Sequence, residues 1–99
     1  MEITKIHENA TSIFKLAGRL DSATASSLQD ELIPEFDTAK HIILDLSELT
    51  YISSAGLRVF LVSERTAKEK GVGQSFKNIS PEVKGIFDLT GFSSLLHIE

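Results

Sequence analysis

The stretch His41-Ile42-Ile43-Leu44-Asp45-Leu46, followed after a polar interval by Tyr51-Ile52-Ser53-Ser54-Ala55-Gly56-Leu57, decides how this chain folds. Its first part is short, almost continuously apolar and rich in β-branched residues, which predicts a central strand covered on both faces. After Ser53-Ser54 the apolar residues Leu57, Phe60 and Leu61 recur at i, i+3 and i+4, the period of an amphipathic helix. Arg58, Arg65 and Lys68 fall on its other faces, and Glu64 is placed to pair with Lys68. Lys70 and then Gly71 end it, as a cation in the last turn and a left-handed cap. The polar interval from Asp45 through Ser47 to Gly56 reads as a strand-to-helix loop.

Outward from this unit the chain alternates strands and helices, with no internal repeat, linker or low-complexity tract. Downstream, Gln74 to Ile79 reads as a strand. Ser80-Pro81-Glu82-Val83 opens a helix: an N-capping serine, proline in the first turn and an acid beside it. Val83, Ile86 and Phe87 are its buried stripe, Gly91 ends it, and Leu95 to Ile98 is a closing strand. Upstream, Ile6 and then Ile13, Phe14 and Leu16 flank the turn-like Glu8-Asn9-Ala10-Thr11, an antiparallel hairpin closed at Gly18. Asp21 or Ser22 caps a helix carrying Ala25, Leu28 and Leu32, which stops or bends at Pro34. The order β-β-α-β-α-β-α-β predicts the α/β class.

Ninety-nine residues support one core, so residues 1–99 are expected to form a single domain. With 41% hydrophobic and 24% charged residues the chain has a globular composition. No cysteine is present, which excludes disulfides and thiolate chemistry. His7, His41 and His97 are scattered without metal-ligand spacing, so no metal site is expected. A formal charge of −4 argues against nucleic acid as a partner. The first residues lack the pattern of a signal peptide and no apolar run is long enough to insert in a membrane, so a cytoplasmic location is expected.

Function in such a fold concentrates where strands end and helices begin, because the first N–H groups of a helix lack partners. Two segments qualify here: Gly18-Arg19-Leu20-Asp21-Ser22, and the loop around Ser53 and Ser54. Both are expected to open at related ends of the fold. One serine suffices to cap a helix, and a second adjacent one leaves a hydroxyl free at the exposed tip. A phosphate there would bring about −1.5 to −2 charges to the helix start. Asp21 and Asp45 read first as a cap and a strand-end hydrogen-bonding residue, and as carboxylates flanking the serine if the fold gathers both loops. Arg58, one turn into the helix, can offset that negative charge by turning back. A hydrolase nucleophile is disfavoured, since G-x-S-x-G is absent around Ser54 and no histidine is placed as its base. Gly71-Val72-Gly73 lacks the rest of a P-loop.

Taken together, Asp45-Leu46-Ser47, Tyr51 to Leu57, Ser80-Pro81-Glu82-Val83, Leu89-Thr90-Gly91-Phe92 and Gly18-Arg19-Leu20-Asp21 give a pattern that resembles the STAS-domain family, specifically its stand-alone anti-sigma-factor antagonists. The resemblance spans residues 2 to 99. It implies a mixed sheet of four to five strands with three or more helices packed against it, and no catalysis or cofactor. It also implies partner switching: the unmodified protein binds an anti-sigma factor that is a GHKL-type serine kinase, phosphorylation of a loop serine releases it, and a PP2C-type phosphatase restores binding. The better-known loop reads Asp-Ser-Ser/Thr-Gly-Leu, so alignment on Gly56-Leu57 places Ser53 at the aspartate and Ala55 at the second hydroxyl. Ser54 is thus the implied phosphorylation site, with Ser53 as runner-up. The partner-binding set is Asp21, Ser53, Ser54, Ala55, Gly56, Leu57 and Arg58. The alternative within the family is a constitutive subunit of a larger complex, such as a lipid-transport ABC system. A small nucleotide-binding or catalytic domain is the remaining class, supported only by the helix starts.

Overall fold

The computed structural model describes all residues from Met1 to Glu99. Four strands, β1 (Glu2–Glu8), β2 (Thr11–Leu20), β3 (His41–Ile52) and β4 (Gly73–Lys77), form one sheet in the order β1-β2-β3-β4. The β1/β2 hairpin is antiparallel, and β2/β3 and β3/β4 are parallel. Three helices, α1 (Ser22–Leu32), α2 (Ser54–Lys70) and α3 (Pro81–Thr90), follow β2, β3 and β4 in turn. The α/β class and the mixed sheet with three helices are as the sequence implies. The expected closing strand shrinks to one parallel bridge, Phe76 to Ile98, at the edge of β4.

Each helix stops and starts where its chemistry requires. Asp21 caps α1 in a reciprocal box, its Oδ1 accepting from the N–H groups of Ala23 and Thr24 while Thr24 Oγ1 accepts from Asp21 N–H. Pro34 sits in the first turn of a 3₁₀ segment, Ile33–Asp37, that follows α1 directly. Gly71 and Gly91 end α2 and α3 in the left-handed conformation. The expected Glu64–Lys68 pair does not form. Glu64 Oε1 instead accepts from Gln74 Nε2 at 2.7 Å, because the buried amide at the start of β4 has no other partner for its N–H group there.

Three expectations about the strands need correction. The hairpin turn falls at Asn9-Ala10, within the expected Glu8-Asn9-Ala10-Thr11 and with Asn9 at φ 56°, but Gly18 does not close the hairpin, because β2 runs on to Leu20. Gly18 takes φ 100° between two register shifts against β3, so its freedom produces an irregularity within the strand. The segment after Leu46 is not a loop either. β3 continues to Ile52, since Leu49 and Ile52 are buried and pair with Gly18 and Leu20, while Ser47-Glu48 turn outward at the shift. Asp45 Oδ1 accepts from Ser47 N–H at 3.0 Å where this happens.

Thirdly, the central strand is covered on one face only. Ile42, Leu44 and Leu46 are buried with Phe14, Leu16 and Phe76 under residues of the helices, including Leu28, Leu32, Phe60, Val83 and Phe87, in one core. Ile43 points the other way, in register with Ile13 and through it with Ile6, and all three remain partly exposed outside that core. The apolar run is therefore an alternating strand whose outer face happens to be isoleucine.

At the end of the sheet where β2 and β3 begin, Glu35 clamps the 3₁₀ segment to the hairpin. Its carboxylate accepts from Ser12 Oγ at 2.8 Å and Lys5 Nζ at 3.3 Å, and meets His7 Nε2 at 2.7 Å. Burial opposes its ionisation, but the His7, Ser12 and Lys5 contacts outweigh burial and hold the carboxyl below its usual range. A folded-state value below the unfolded one stabilises at neutral pH and is lost as pH falls through the folded value. Unfolding midpoints in urea are thus expected to drop between about pH 5 and pH 3, and Glu35→Gln is expected to flatten part of that drop. An acid dependence unchanged by Glu35→Gln would remove the carboxylate from this role.

Candidate functional site

The parallel pairing of β2 and β3 brings the two segments of interest together. Leu20 pairs with Ile52, and Ser53 N–H donates to Leu20 O at 2.9 Å, so Asp21 and Ser53 leave adjacent strand ends. Just before them Arg19 lies over the ring of Tyr51, its guanidinium carbon 4.1 Å from the centroid. Asp45 is not part of this gathering. It lies farther down β3, opposite Lys15 and Lys77, so only one of the two expected carboxylates flanks the serines.

The two serines divide their tasks. Ser53 is the N-cap of α2, with extended backbone and an Oγ that accepts from Gly56 N–H at 3.4 Å. Ser54 is the first helical residue; it is exposed, and its hydroxyl makes no hydrogen bond within the chain. No acid occupies the first turn of α2. Asp21 is held below the usual carboxylate range: desolvation opposes ionisation, and the N–H groups of Thr24 and Ala23, the Thr24 hydroxyl and the Arg19 charge overcome it. It faces this end of the fold as a fixed negative charge.

Of the other expected binding residues, Gly56 and Leu57 are buried and Ala55 is half-buried against the core. They position the surface more than they form it. A Cβ at Gly56 would stand 2.7 Å from Leu20 Cγ and 2.8 Å from Ile52 Cγ1, so glycine lets the helix start sit directly on the ends of β2 and β3. Gly56→Ala is expected to cost about 2 kcal/mol by overpacking, read as a lower urea midpoint with an unchanged slope. A cost below about 0.5 kcal/mol would mean that the strand ends yield freely.

Beside Ser54 runs an apolar groove of about 220 Å³, lined by Ser54, Leu57, Arg58, Leu61, Thr90 and Phe92. It lies between α2 and the end of α3, where Leu89 is 88% exposed. Periodicity along α2 placed Leu61 among core residues and missed its half-exposed position on the groove. Thr90 and Phe92 belong to a stretch that the resemblance marked, although nothing local says it lies next to Ser54. A larger hollow of about 250 Å³ at the opposite end is lined by His7, Ser12 and Glu35 among others, whose polar groups already satisfy one another. No group of three or more His, Asp or Glu is arranged to hold a metal, and no helix is long and apolar enough to cross a membrane.

This frame, a four-stranded mixed sheet with a serine pair at the start of the helix after its third strand, defines the class of protein. The model of the STAS domain matches residues 2–99, and the chain belongs to the STAS-domain family. It is 32% identical over 99 residues to BtrV of Bordetella bronchiseptica, covering 99% of this chain and 85% of that protein. It is 28% identical over 94 residues to the anti-sigma-B factor antagonist of Bacillus subtilis, covering 95% and 85%. Among solved structures, the unphosphorylated form of the anti-sigma factor antagonist SpoIIAA superposes with a TM-score of 0.78 at 16% identity, covering 99% of this chain and 87% of that one. The phosphorylated form of SpoIIAA gives the same TM-score at 17% identity, covering 99% and 91%.

Proposed function

We propose that this chain is an anti-sigma-factor antagonist that switches partners through phosphorylation of Ser54. Unmodified, it docks the start of α2, with Asp21, Ser53 and Arg58 around it, on an anti-sigma factor that is a GHKL-type serine kinase. Phosphate on Ser54 ends that complex, and a PP2C-type phosphatase restores it. The setting is the cytoplasm, and the chain itself performs no catalysis.

One observation carries this reading: Ser53 supplies the helix cap, and the neighbouring Ser54 keeps a free, exposed hydroxyl at the lip of an apolar groove. A nucleophile with those surroundings has no base beside it, which suits a residue acted on by another protein. The relatives support the role, since the Bacillus subtilis and Paenibacillus polymyxa proteins are named antagonists of anti-sigma-B and anti-sigma F factors. SpoIIAA, of the same fold, has been solved both with and without phosphate.

The test is capture of the tagged chain from its native cell, followed by incubation with the captured kinase and ATP and peptide mass spectrometry. The expected result is one added phosphoryl group, mapped to Ser54 and absent in Ser54→Ala. Phosphate on Ser53 would move the site by one residue. A chain that never carries phosphate and comes down with an ABC ATPase would instead be the constitutive subunit.

A further inference from the structure

Arg58 is exposed and takes part in none of the ion pairs of the molecule. The other cations at this end and along the same helix are occupied or remote: Arg19 lies on Tyr51, Lys84 pairs with Asp88, Lys70 with Asp37, and Arg65 and Lys68 are two turns or more farther along α2. Ser54 and Arg58 stand four residues apart on α2, which places their side chains one above the other on one face. Both line the groove, together with Leu57, Leu61, Thr90 and Phe92.

Resting on the reading of Ser54 as the phosphate acceptor, we infer that Arg58 is the intramolecular counter-ion of phosphoserine 54, paired with it one turn apart on the rim of the groove beside α2. A phosphate on the Ser54 hydroxyl adds acceptor oxygens within reach of a guanidinium one turn away, and charge-assisted bonds of this kind are the strong ones. Forming the pair draws the Arg58 side chain back one turn toward the start of α2, the direction in which helical side chains already lean. Phosphorylation then ties up a free cation on the groove rim as well as adding negative charge. The fold need not move, because every group involved is already on the rim.

The experiment uses the full chain with phosphoserine placed at position 54 by genetic encoding, independent of any kinase. Phosphorus NMR titration reads the second ionisation of the phosphate. An i,i+4 pair of ordinary strength lowers it by about 0.3 pH unit, so the chain with Arg58 is expected to titrate that much lower than Arg58→Ala. Arg58→Lys is expected between them, and Arg65→Ala is expected to match the parent. Coincident titrations of the parent and Arg58→Ala overturn the pair. Should the native protein prove never to carry phosphate while the shift appears, the proposed switch fails and the Arg58 pairing stands.

Discussion

Ser54→Asp is expected to bind the kinase proposed as this chain's partner about a hundredfold more weakly than the parent chain, a loss of about 3 kcal/mol, while Ser54→Ala binds as the parent does. The asymmetry follows from the position. The Ser54 hydroxyl has no partner within the chain, so its removal leaves nothing unsatisfied and should leave the fold unchanged. A carboxylate there brings desolvation and like-charge costs into a contact that the groove and half-buried Ala55 make partly apolar. It does not act by unfolding the chain, because an acid in the first turn of a helix that has none is favourable. Calorimetric titration gives the affinities, and urea midpoints for the same variants show that stability is kept. Equal affinity of Ser54→Asp and Ser54→Ala would refute the switch assignment.

Phe60→Ala should be the most damaging single truncation, at about 4 kcal/mol and roughly 20 °C in Tm. Phe60 is fully buried, with its ring centroid 5.0 Å from that of Phe76 on β4 and 6.3 Å from that of Phe87 on α3, edge to face in both cases. It is thus the contact by which α2 holds the sheet and the third helix at once. Its loss removes transfer energy and both aromatic contacts and leaves a cavity that three different elements would have to move to fill. Its neighbours on α2, Leu57 and Leu61, line the groove, so the same substitution is expected to loosen the surface beside Ser54. Thermal unfolding by circular dichroism measures the effect; a loss of less than about 1.5 kcal/mol would show that the core collapses into the space.

Much of this architecture is legible in local patterns. Asp21, Ser80, Pro81, Gly71 and Gly91 mark helix ends because capping is settled within a few residues, and each stands where its chemistry requires. The stripes Ala25, Leu28, Leu32 and Val83, Phe87 are buried as their spacing says, while Ile86, expected beside the latter two, is only partly buried. Local composition misleads where pairing across the sheet overrides it. Ser47-Glu48 and Thr50 look like a loop, yet β3 passes through them because its neighbour β2 supplies partners as far as Leu20. Gly18 looks like a stop and is a site of register shift. Ile43 looks like core and lies on the outer face, since an apolar run does not reveal which of its two sides meets helices.

The serine pair shows the same division at the site. From sequence, two adjacent hydroxyls before a glycine imply one cap and one free group, and resemblance to a family singles out Ser54. That Ser53 is the cap follows from backbone that places its Oγ, and not that of Ser54, toward Gly56 N–H. Gly56 is required there because Leu20 and Ile52, from two different strands, fill the space a side chain would need. The groove joining Ser54 and Arg58 to Thr90 and Phe92 exists only once α3 has packed beside α2. Helix ends, stripes and the choice of fold class were determined by the sequence itself, because caps and periodicity act over one or two turns. The extent of β3, the open face of the sheet and the groove beside Ser54 were decided by tertiary structure, because each depends on residues far apart in the chain competing for the same space.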